Sequence, residues 1–295
     1  MWLVIAGVCG LDILWMAAAG ITMKISSILI VALGSAFLGA IAYLYAKRDP
    51  RIAETANMGA KTVLFSAAAA TLSYLVLTLD APLADARLVA IDRAMGFDWL
   101  AWFHWVHAHP TVHSVLNFAY DAIGPEIIVA LLWLSLTGKH AIVREFQWAT
   151  ILALFAIIPI SGMVPALGGW DYFGTGLSGG WIPDLLALRA HEMPVFDCRR
   201  MTGIITCPSF HTSLGIIFIA IARFDRRLLL GSILLNGAMI ASVPSEGSHY
   251  LFDALSGAGV AVAALIAAQR IEAGRFWPAL QSAAVPSSPP IRTGR

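Results

Sequence analysis

Long apolar runs, each about the length of a membrane-spanning helix, alternate with short polar segments along most of this sequence. Roughly 20 apolar residues in a helix cross a hydrocarbon core about 30 Å thick. The pattern therefore predicts an all-α, polytopic membrane helix bundle with eight spans, at residues 2–22, 26–46, 57–79, 114–137, 145–166, 209–223, 227–246 and 249–269. The first run lacks a basic segment before it, so we interpret it as a retained span and not as a signal peptide.

These spans divide the chain into three predicted parts. Residues 1–56 would form two N-terminal transmembrane helices, and residues 57–270 a core that carries the chemistry. Residues 271–295 end in a stretch rich in proline, serine and alanine, which predicts a disordered tail.

The composition agrees with a membrane protein, because 59% of the residues are hydrophobic and 13% are charged. The net charge of +1 and the absence of a basic run give no reason to expect a nucleic-acid partner. Basic residues recur after every second span, at Lys47, Arg48, Arg51, Lys139, Arg144, Arg223, Arg226, Arg227, Arg270 and Arg275. The positive-inside rule makes that side cytoplasmic and places both termini there.

Two long segments then face the opposite, non-cytoplasmic side. In residues 80–113, Trp99, Trp102 and Trp105 are spaced three apart, which predicts one stripe of indoles at the lipid headgroups. The same segment holds His104, His107, His109 and His113, which we interpret as interfacial because no cysteine or acidic residue completes a metal site nearby.

The second long segment, residues 167–208, begins with several glycines and then gathers the cations Arg189, Arg199 and Arg200. Arginine binds phosphate with a bidentate geometry, so these three residues are candidate phosphate ligands, of which we favour Arg189 and Arg200. They could equally bind lipid headgroups. Cys198 and Cys207 in this loop could pair in an oxidising compartment, or remain separate thiols.

Two histidines stand where apolar helices are predicted to begin on that side: His211 after Pro208 and Ser209, and His249 four residues before Asp253. Helix N-termini attract phosphate, and a spacing of four places a carboxylate on the same helix face as the imidazole. Such a carboxylate can orient His249 as a nucleophile toward phosphorus, while His211 can act as an acid.

Each of these features also has a purely structural interpretation. A single histidine near a helix end is commonly interfacial, and Ser209 could simply cap its helix. Asp12, Asp121 and Glu126 in other spans could be structural, or could line the path of a transporter or channel. The joint occurrence of both histidine-bearing helix starts and an arginine-rich loop on one side favours catalysis, because buried ionisable groups in membranes are costly.

The segment Pro208-Ser209-Phe210-His211 resembles the Pro-Ser-x-His motif of the type-2 phosphatidic acid phosphatase superfamily, and His249 to Asp253 resembles its last motif, His-x-x-x-Asp. The run Gly203 to Thr206 and the segment Asp92 to Trp99 resemble bacterial members of the subgroup that includes inositol phosphorylceramide synthases. The similarity covers roughly residues 70–265.

The resemblance implies a six-helix core and a metal-independent reaction without a cofactor, in which a lipid phosphate passes through a phosphohistidine. By position, His249 would be the nucleophile, Asp253 its orienting partner and His211 the acid, with Ser209 at the phosphate. It also implies a bacterial inner-membrane enzyme with a periplasmic site. The superfamily's first basic motif and the arginine six residues before the last histidine are both missing here, since Val243 occupies that position. This departure favours phosphotransfer between lipids over hydrolysis; an inactive lipid-binding member is the remaining alternative.

Overall fold

The computed structural model of the chain describes the backbone of residues 1–283 and the side chains of residues 1–274. The part described is almost entirely helical, which confirms the predicted polytopic helical bundle. Its α-helices are α1 (Trp2–Ala19), α2 (Ile25–Tyr45), α3 (Pro50–Leu75), α4 (Asp85–Ala94), α5 (Trp99–Ala108), α6 (Pro110–Asp121), α7 (Ile123–Leu136), α8 (His140–Met163), α9 (Gly169–Tyr172), α10 (Ile182–Arg189), α11 (Phe210–Ile221), α12 (Arg226–Glu246) and α13 (Leu251–Ala283).

Each of the eight predicted spans coincides with one of these helices or with a bent pair of them. Six helices (α1, α2, α3, α8, α12 and α13) are long and apolar enough to cross a membrane. The predicted fourth span is broken into α6 and α7, which meet at an angle of 48°. Pro125 lies in the first turn of α7, where it cannot donate the backbone hydrogen bond that would continue α6.

The sixth span, α11, is unusually short. Its 12 residues are about 18 Å long, less than a hydrocarbon core about 30 Å thick. α11 is therefore too short to cross such a core by itself. The loop before it carries the two short helices α9 and α10.

The two ends of the bundle carry different groups. At one end Thr22–Met23 (β1) pairs with Val195–Phe196 (β2) as two parallel strands, so the turn between α1 and α2 is joined to the loop before α11. At the other end the start of α8 forms ion pairs with two other spans, at Arg144–Glu272 and Arg223–Glu145. The predicted basic loops thus share the end opposite the histidines.

Asp197 strengthens the attachment of the N-terminal helices to that loop. Its carboxylate pairs with Lys24 and with Arg199, both at 3.1 Å, and accepts a hydrogen bond from Ser27. These partners, Arg199 first, hold the pKa of Asp197 well below its ordinary value. The predicted boundary between residues 56 and 57 falls inside α3, a single helix against which α1 and α2 both pack.

The last helix is longer than expected. α13 continues to Ala283, so residues 271–283 are helical where the sequence suggested a disordered tail. Alanine, glutamate and arginine in this segment favour a helix, whereas Gly274 and Pro278 oppose it. The remaining predicted tail, residues 284–295, lies outside the described residues.

The α11–α13 contact brings the two predicted catalytic helices into direct backbone proximity. Ser209 donates its N–H to the carbonyl of Asp253 (2.9 Å), and the Ser213 hydroxyl donates to the carbonyl of Gly257 (2.7 Å). A Cβ atom added at Gly257 would lie 2.3 Å from the Ser209 carbonyl oxygen. Only glycine permits this approach.

Gly257→Ala is therefore expected to lower the unfolding free energy by about 1–3 kcal/mol, because the new methyl group would push α11 from α13. Thermal unfolding in detergent would measure it. Gly259→Ala is the matched control, since nothing lies within 4 Å of a Cβ atom at that position of the same helix. Equal melting temperatures for the two variants would contradict the close helix contact.

Candidate active site

His211 lies in the first turn of α11, where the local sequence produces an open helix end. The side chain of Ser209 caps the helix by accepting a hydrogen bond from the N–H of Thr212 (3.3 Å). The backbone N–H groups of Phe210 and His211 have no partner within residues 1–283. They form the kind of positive helix end that binds an anion. Ser209 is fully buried in this cap, and its predicted contact with phosphate stays a prediction.

His249 lies in the turn between α12 and α13. Its Nδ1 is 3.4 Å from Oδ2 of Asp253, with both side chains buried. Asp253 Oδ2 also accepts the N–H of Tyr250 at 2.9 Å, which fixes the carboxylate beside the ring. The backbone of His249 is held as well, because its carbonyl accepts the indole N–H of Trp99 at 2.9 Å. An imidazole whose Nδ1 faces a carboxylate presents Nε2 to a substrate.

The structure brings His211 and His249 together from separate helices. Their ring centroids are 6.4 Å apart, with an interplanar angle of 62°. His211 also stacks on Tyr120 of α6, with centroids 4.2 Å apart and planes inclined by only 12°. The two imidazoles are thus too far apart to bond to each other directly but close enough to contact one small group between them.

The predicted anion site at the start of α13 is wrong. The first N–H groups of this helix are already occupied, because Leu251 and Phe252 donate to the carboxylate of Asp92 at 2.8 and 2.9 Å. Burial raises the pKa of Asp92, although these two hydrogen bonds oppose the rise. A carboxylate from α4 therefore occupies the position where a phosphate was expected. Of the two helices that begin at the histidine motifs, α11 but not α13 has free N–H groups among the described residues.

A second buried carboxylate of α4 fixes the same turn from the other side. Asp85 accepts the hydroxyl of Tyr250 (2.8 Å) and the N–H groups of Leu167 and Gly168 (3.1 and 3.0 Å). Gly168 has φ +91° and lies against Ser248, so that a Cβ atom there would be 2.5 Å from the Ser248 carbonyl oxygen. The glycines after α8 thus permit the close approach that holds the His249 turn.

Asp92→Asn is expected to remove most of the activity, because an amide presents one acceptor oxygen and would turn N–H donors toward the start of α13. Loss of a helix cap costs about 0.5–2 kcal/mol, so the protein should remain folded. Asp98→Asn is the matched control, since Asp98 caps α5 through the N–H of Ala101 (3.0 Å). Turnover and melting temperature would be measured together. Equal losses of turnover in the two variants would exclude a positioning role for Asp92.

The three candidate arginines lie in different environments. Arg189 pairs with Asp80 (3.3 Å) and donates to the carbonyl of Ala81, and Arg199 pairs with Asp197. Arg200 is exposed, and its side chain has no partner within the described part of the chain. Of the three candidates, Arg200 alone is therefore free to bind an added anion.

A mostly apolar cavity of about 540 Å³ reaches the site from the interior of the bundle. His211, Phe210 and Leu214 of α11 form part of its wall, and residues 201–205 cover one end. Arg200 directly precedes that segment in the sequence.

The predicted stripe of three indoles at the headgroups is wrong for Trp99. This residue is 2% exposed and stacks between Phe103 and Phe173, with centroids 5.2 Å away on each side. Its hydrogen bond to His249 explains the burial. Trp102 and Trp105 stack on each other at 5.5 Å, and Trp105 is exposed as expected.

One of the four histidines in residues 104–113 has an acidic partner, which the spacing of residues in the sequence did not predict. His113 Nε2 lies 3.2 Å from Oε2 of Glu246, the last residue of α12, and the rings of His107 and His113 are 4.5 Å apart. Glu246 is distant in sequence but precedes His249 by three positions. The interfacial interpretation of the other histidines stays a prediction.

The two loop cysteines are separate thiols. Cys198 lies beside Ser27, and buried Cys207 lies 3.9 Å from the Ser256 hydroxyl. Burial, followed by the charge of Asp253, raises the pKa of the Cys207 thiol, which therefore stays protonated at neutral pH.

The acidic residues considered for a transport path lie on three different helices. Asp12 is buried in α1, Asp121 accepts from Asn117 (3.3 Å), and Glu126 accepts from Asn236 of α12 (2.8 Å). Within the described residues none of the three contacts another. Glu126 and Asn236 instead join α7 to α12.

A family model described as the PAP2 superfamily matches residues 86–267, more than half of the chain. No curated protein and no solved structure matches the chain. The matched region includes Asp92 of α4, both histidine-bearing turns and Asp253, whereas Asp85 lies one residue before it. The chain therefore belongs to the PAP2 superfamily.

Proposed function

We propose that this protein is a membrane phosphotransferase or phosphatase that acts on a lipid phosphate through a phosphohistidine at His249. Membership of the superfamily supports phosphatase or phosphotransferase chemistry. The observation that carries the specific mechanism is the convergence of His211 and His249, with ring centroids 6.4 Å apart and Asp253 at 3.4 Å from His249.

In the first half-reaction, Nε2 of His249 attacks phosphorus and the bond from phosphorus to the lipid oxygen breaks. His211 donates a proton to the departing oxygen, and Asp253 stabilises the positive charge that develops on the imidazole of His249. The free N–H groups of Phe210 and His211 receive phosphoryl oxygens, as oriented donors do for developing negative charge.

In the second half-reaction, water or an alcohol attacks the phosphohistidine. His211, now neutral, accepts the proton of the attacking hydroxyl, and the bond from phosphorus to Nε2 breaks. His249 and His211 return to their starting protonation states. Hydrolysis and transfer differ only in which hydroxyl reaches the phosphoryl group.

Arg200 is the cation we assign to the phosphate, since its side chain is exposed and it directly precedes residues 201–205, which line the cavity beside His211. Arg189 and Arg199 act indirectly, by holding the loop through Asp80 and Asp197. The proposal assigns no step to a metal ion or cofactor.

Several finer expectations belong to the same proposal. The missing basic motif favours transfer to an alcohol, as in the subgroup of inositol phosphorylceramide synthases. Residues 57–270 form the catalytic core, and the active site faces the periplasmic side of a bacterial inner membrane with both termini cytoplasmic. Site and basic loops lie at opposite ends of the bundle, which supports this orientation.

Purified protein in lipid vesicles would be incubated with phosphatidic acid, a sphingoid phosphate and a polyprenyl phosphate, with and without inositol and glycerol. Release of inorganic phosphate, or formation of a new phosphodiester or phosphomonoester, is the expected result. If folded protein turns over none of these lipids yet conducts solutes across the vesicle, the transporter alternative is correct instead.

A further inference from the structure

The cavity beside His211 extends far beyond the two catalytic rings. Its walls are α3 and α8, with α11 at one side and the segment 201–205 over one end. On α3 the lining residues run from Lys61 to Ser73, which is about 18 Å along the helix axis. One leaflet of a hydrocarbon core is about 15 Å thick, which is slightly less than this length. The cavity thus spans about one leaflet in depth.

The width of the cavity limits what it can hold. A volume of about 540 Å³ over that length gives an average cross-section of roughly 30 Å², or a tube about 6 Å wide. Carbon atoms of packed aliphatic chains contact one another at about 4 Å, so one chain fits and two side by side do not. The small side chains Ala67, Ala70 and Ser73 of α3 leave this space open.

The far end of the cavity is lined by the polar side chains of Lys61, Thr62 and Gln147. The side-chain amide of Gln147 donates to the carbonyl of Met58 and to the hydroxyl of Thr62, both at 3.0 Å. An apolar chain gains nothing by passing these groups, because their hydrogen bonds would have to be broken. The polar end therefore disfavours aliphatic chains longer than the cavity.

From these features we infer that the cavity binds a single aliphatic chain of the lipid substrate, one leaflet in length, with the phosphate end at His211. This inference rests on the proposed function for the identity of the lipid, but not for the chain-binding site. The α3 wall lies before residue 86 and thus outside the region matched by the superfamily model. The chain-binding site therefore depends on a helix that the family region does not supply.

Ala67→Trp should fill the cavity midway along its length, since Ala67 is six residues from both Lys61 and Ser73. Hexadecyl phosphate and water-soluble butyl phosphate would be compared as substrates. The variant should lose at least about tenfold in kcat/KM for hexadecyl phosphate, since each buried methylene contributes roughly 0.8 kcal/mol. Its kcat/KM for butyl phosphate should stay within about twofold of the parent, because the chain is too short to reach Ala67, about 9 Å from Ser73 along α3.

Ala36→Trp is the matched control, because Ala36 is exposed on α2 and does not line the cavity. It should turn over both substrates as the parent does. Equal losses on both substrates in Ala67→Trp, or the same selective loss in Ala36→Trp, would overturn the inference.

A second measurement does not depend on turnover or on the folding of a variant. Hexadecyl phosphate carrying a diazirine near its methyl end would be photo-crosslinked to the parent protein in vesicles, and the labelled peptides mapped. Labels in residues 61–73 and 146–154 are expected. Crosslinks confined to other helices would contradict the inference. It would also be contradicted if phosphatidylcholine displaced the probe as easily as unlabelled hexadecyl phosphate does, because the cavity would then bind bulk lipid.

The two measurements separate the possible failures. Correct crosslinks without turnover of either phosphate would refute the proposed function and leave the chain site standing. Turnover of both phosphates with crosslinks elsewhere would refute the chain site alone.

Discussion

His249→Ala is expected to reduce turnover of every phosphate substrate by at least about 10⁴-fold, since loss of a nucleophile leaves only binding and residual electrostatic stabilisation. In the structure no other described nucleophile holds the same position, with a carboxylate 3.4 Å from its ring and His211 facing it. The initial rate of phosphate release with butyl phosphate would measure the effect.

The main alternative cause of such a loss would be misfolding, since His249 is only 4% exposed. The indole of Trp99 bonds the backbone carbonyl of His249 and not its ring, so the turn should survive the substitution. His104→Ala is the control, because His104 is an exposed histidine of α5. A folded His249→Ala protein with a tenth of the parental rate or more would refute the nucleophile assignment.

His211→Ala should produce a loss that depends on the leaving group. For butyl phosphate, whose alkoxide must be protonated as it leaves, the expected decrease is about 10²–10⁴-fold. For p-nitrophenyl phosphate, the leaving phenolate needs no proton, so the first half-reaction should stay close to the parental rate. The second half-reaction should be slow, because no group then accepts the proton of water.

A pre-steady-state burst of p-nitrophenolate followed by slow turnover is therefore the signature of this variant. Rapid-mixing absorbance would record it. If both substrates lose activity equally and no burst is seen, His211 only supports the site, through its stacking on Tyr120.

Much of this architecture could be predicted from the sequence, because membrane spans are determined by local apolar length. All eight spans coincide with helices, and the break in the fourth span follows from Pro125. The pairing of His211 with His249 was also predictable, since both motifs begin helices on the same side of the membrane. These features depend on short stretches of neighbouring residues.

The features that could not be predicted depend on contacts between distant segments. Asp92 caps a helix that begins 159 positions later, and Trp99 bonds a carbonyl 150 positions away. Nothing in the local pattern distinguishes Trp99 from Trp105, although one is buried and the other exposed. In the sequence, the segment from Asp92 to Trp99 stands out only by its resemblance to a known family. In the structure, Asp92 and Trp99 hold the turn that carries His249.

The arginine-rich loop shows the same limitation. From the sequence, Arg189 and Arg200 were the favoured phosphate ligands, but Asp80 engages Arg189 and Asp197 engages Arg199. Only the folded chain reveals which guanidinium is unpaired. Likewise, the cavity forms between packed residues of α3 and α8, so its length and width could not be predicted from the sequence.

Trapping the covalent intermediate tests the central claim most directly. Protein would be mixed with ³²P-labelled p-nitrophenyl phosphate, quenched in alkali within milliseconds, digested and mapped by mass spectrometry. The account predicts an acid-labile, alkali-stable phosphoryl group on the peptide containing His249, enriched in His211→Ala and lost in His249→Ala. Label on another residue, or label that persists without His249, would contradict it.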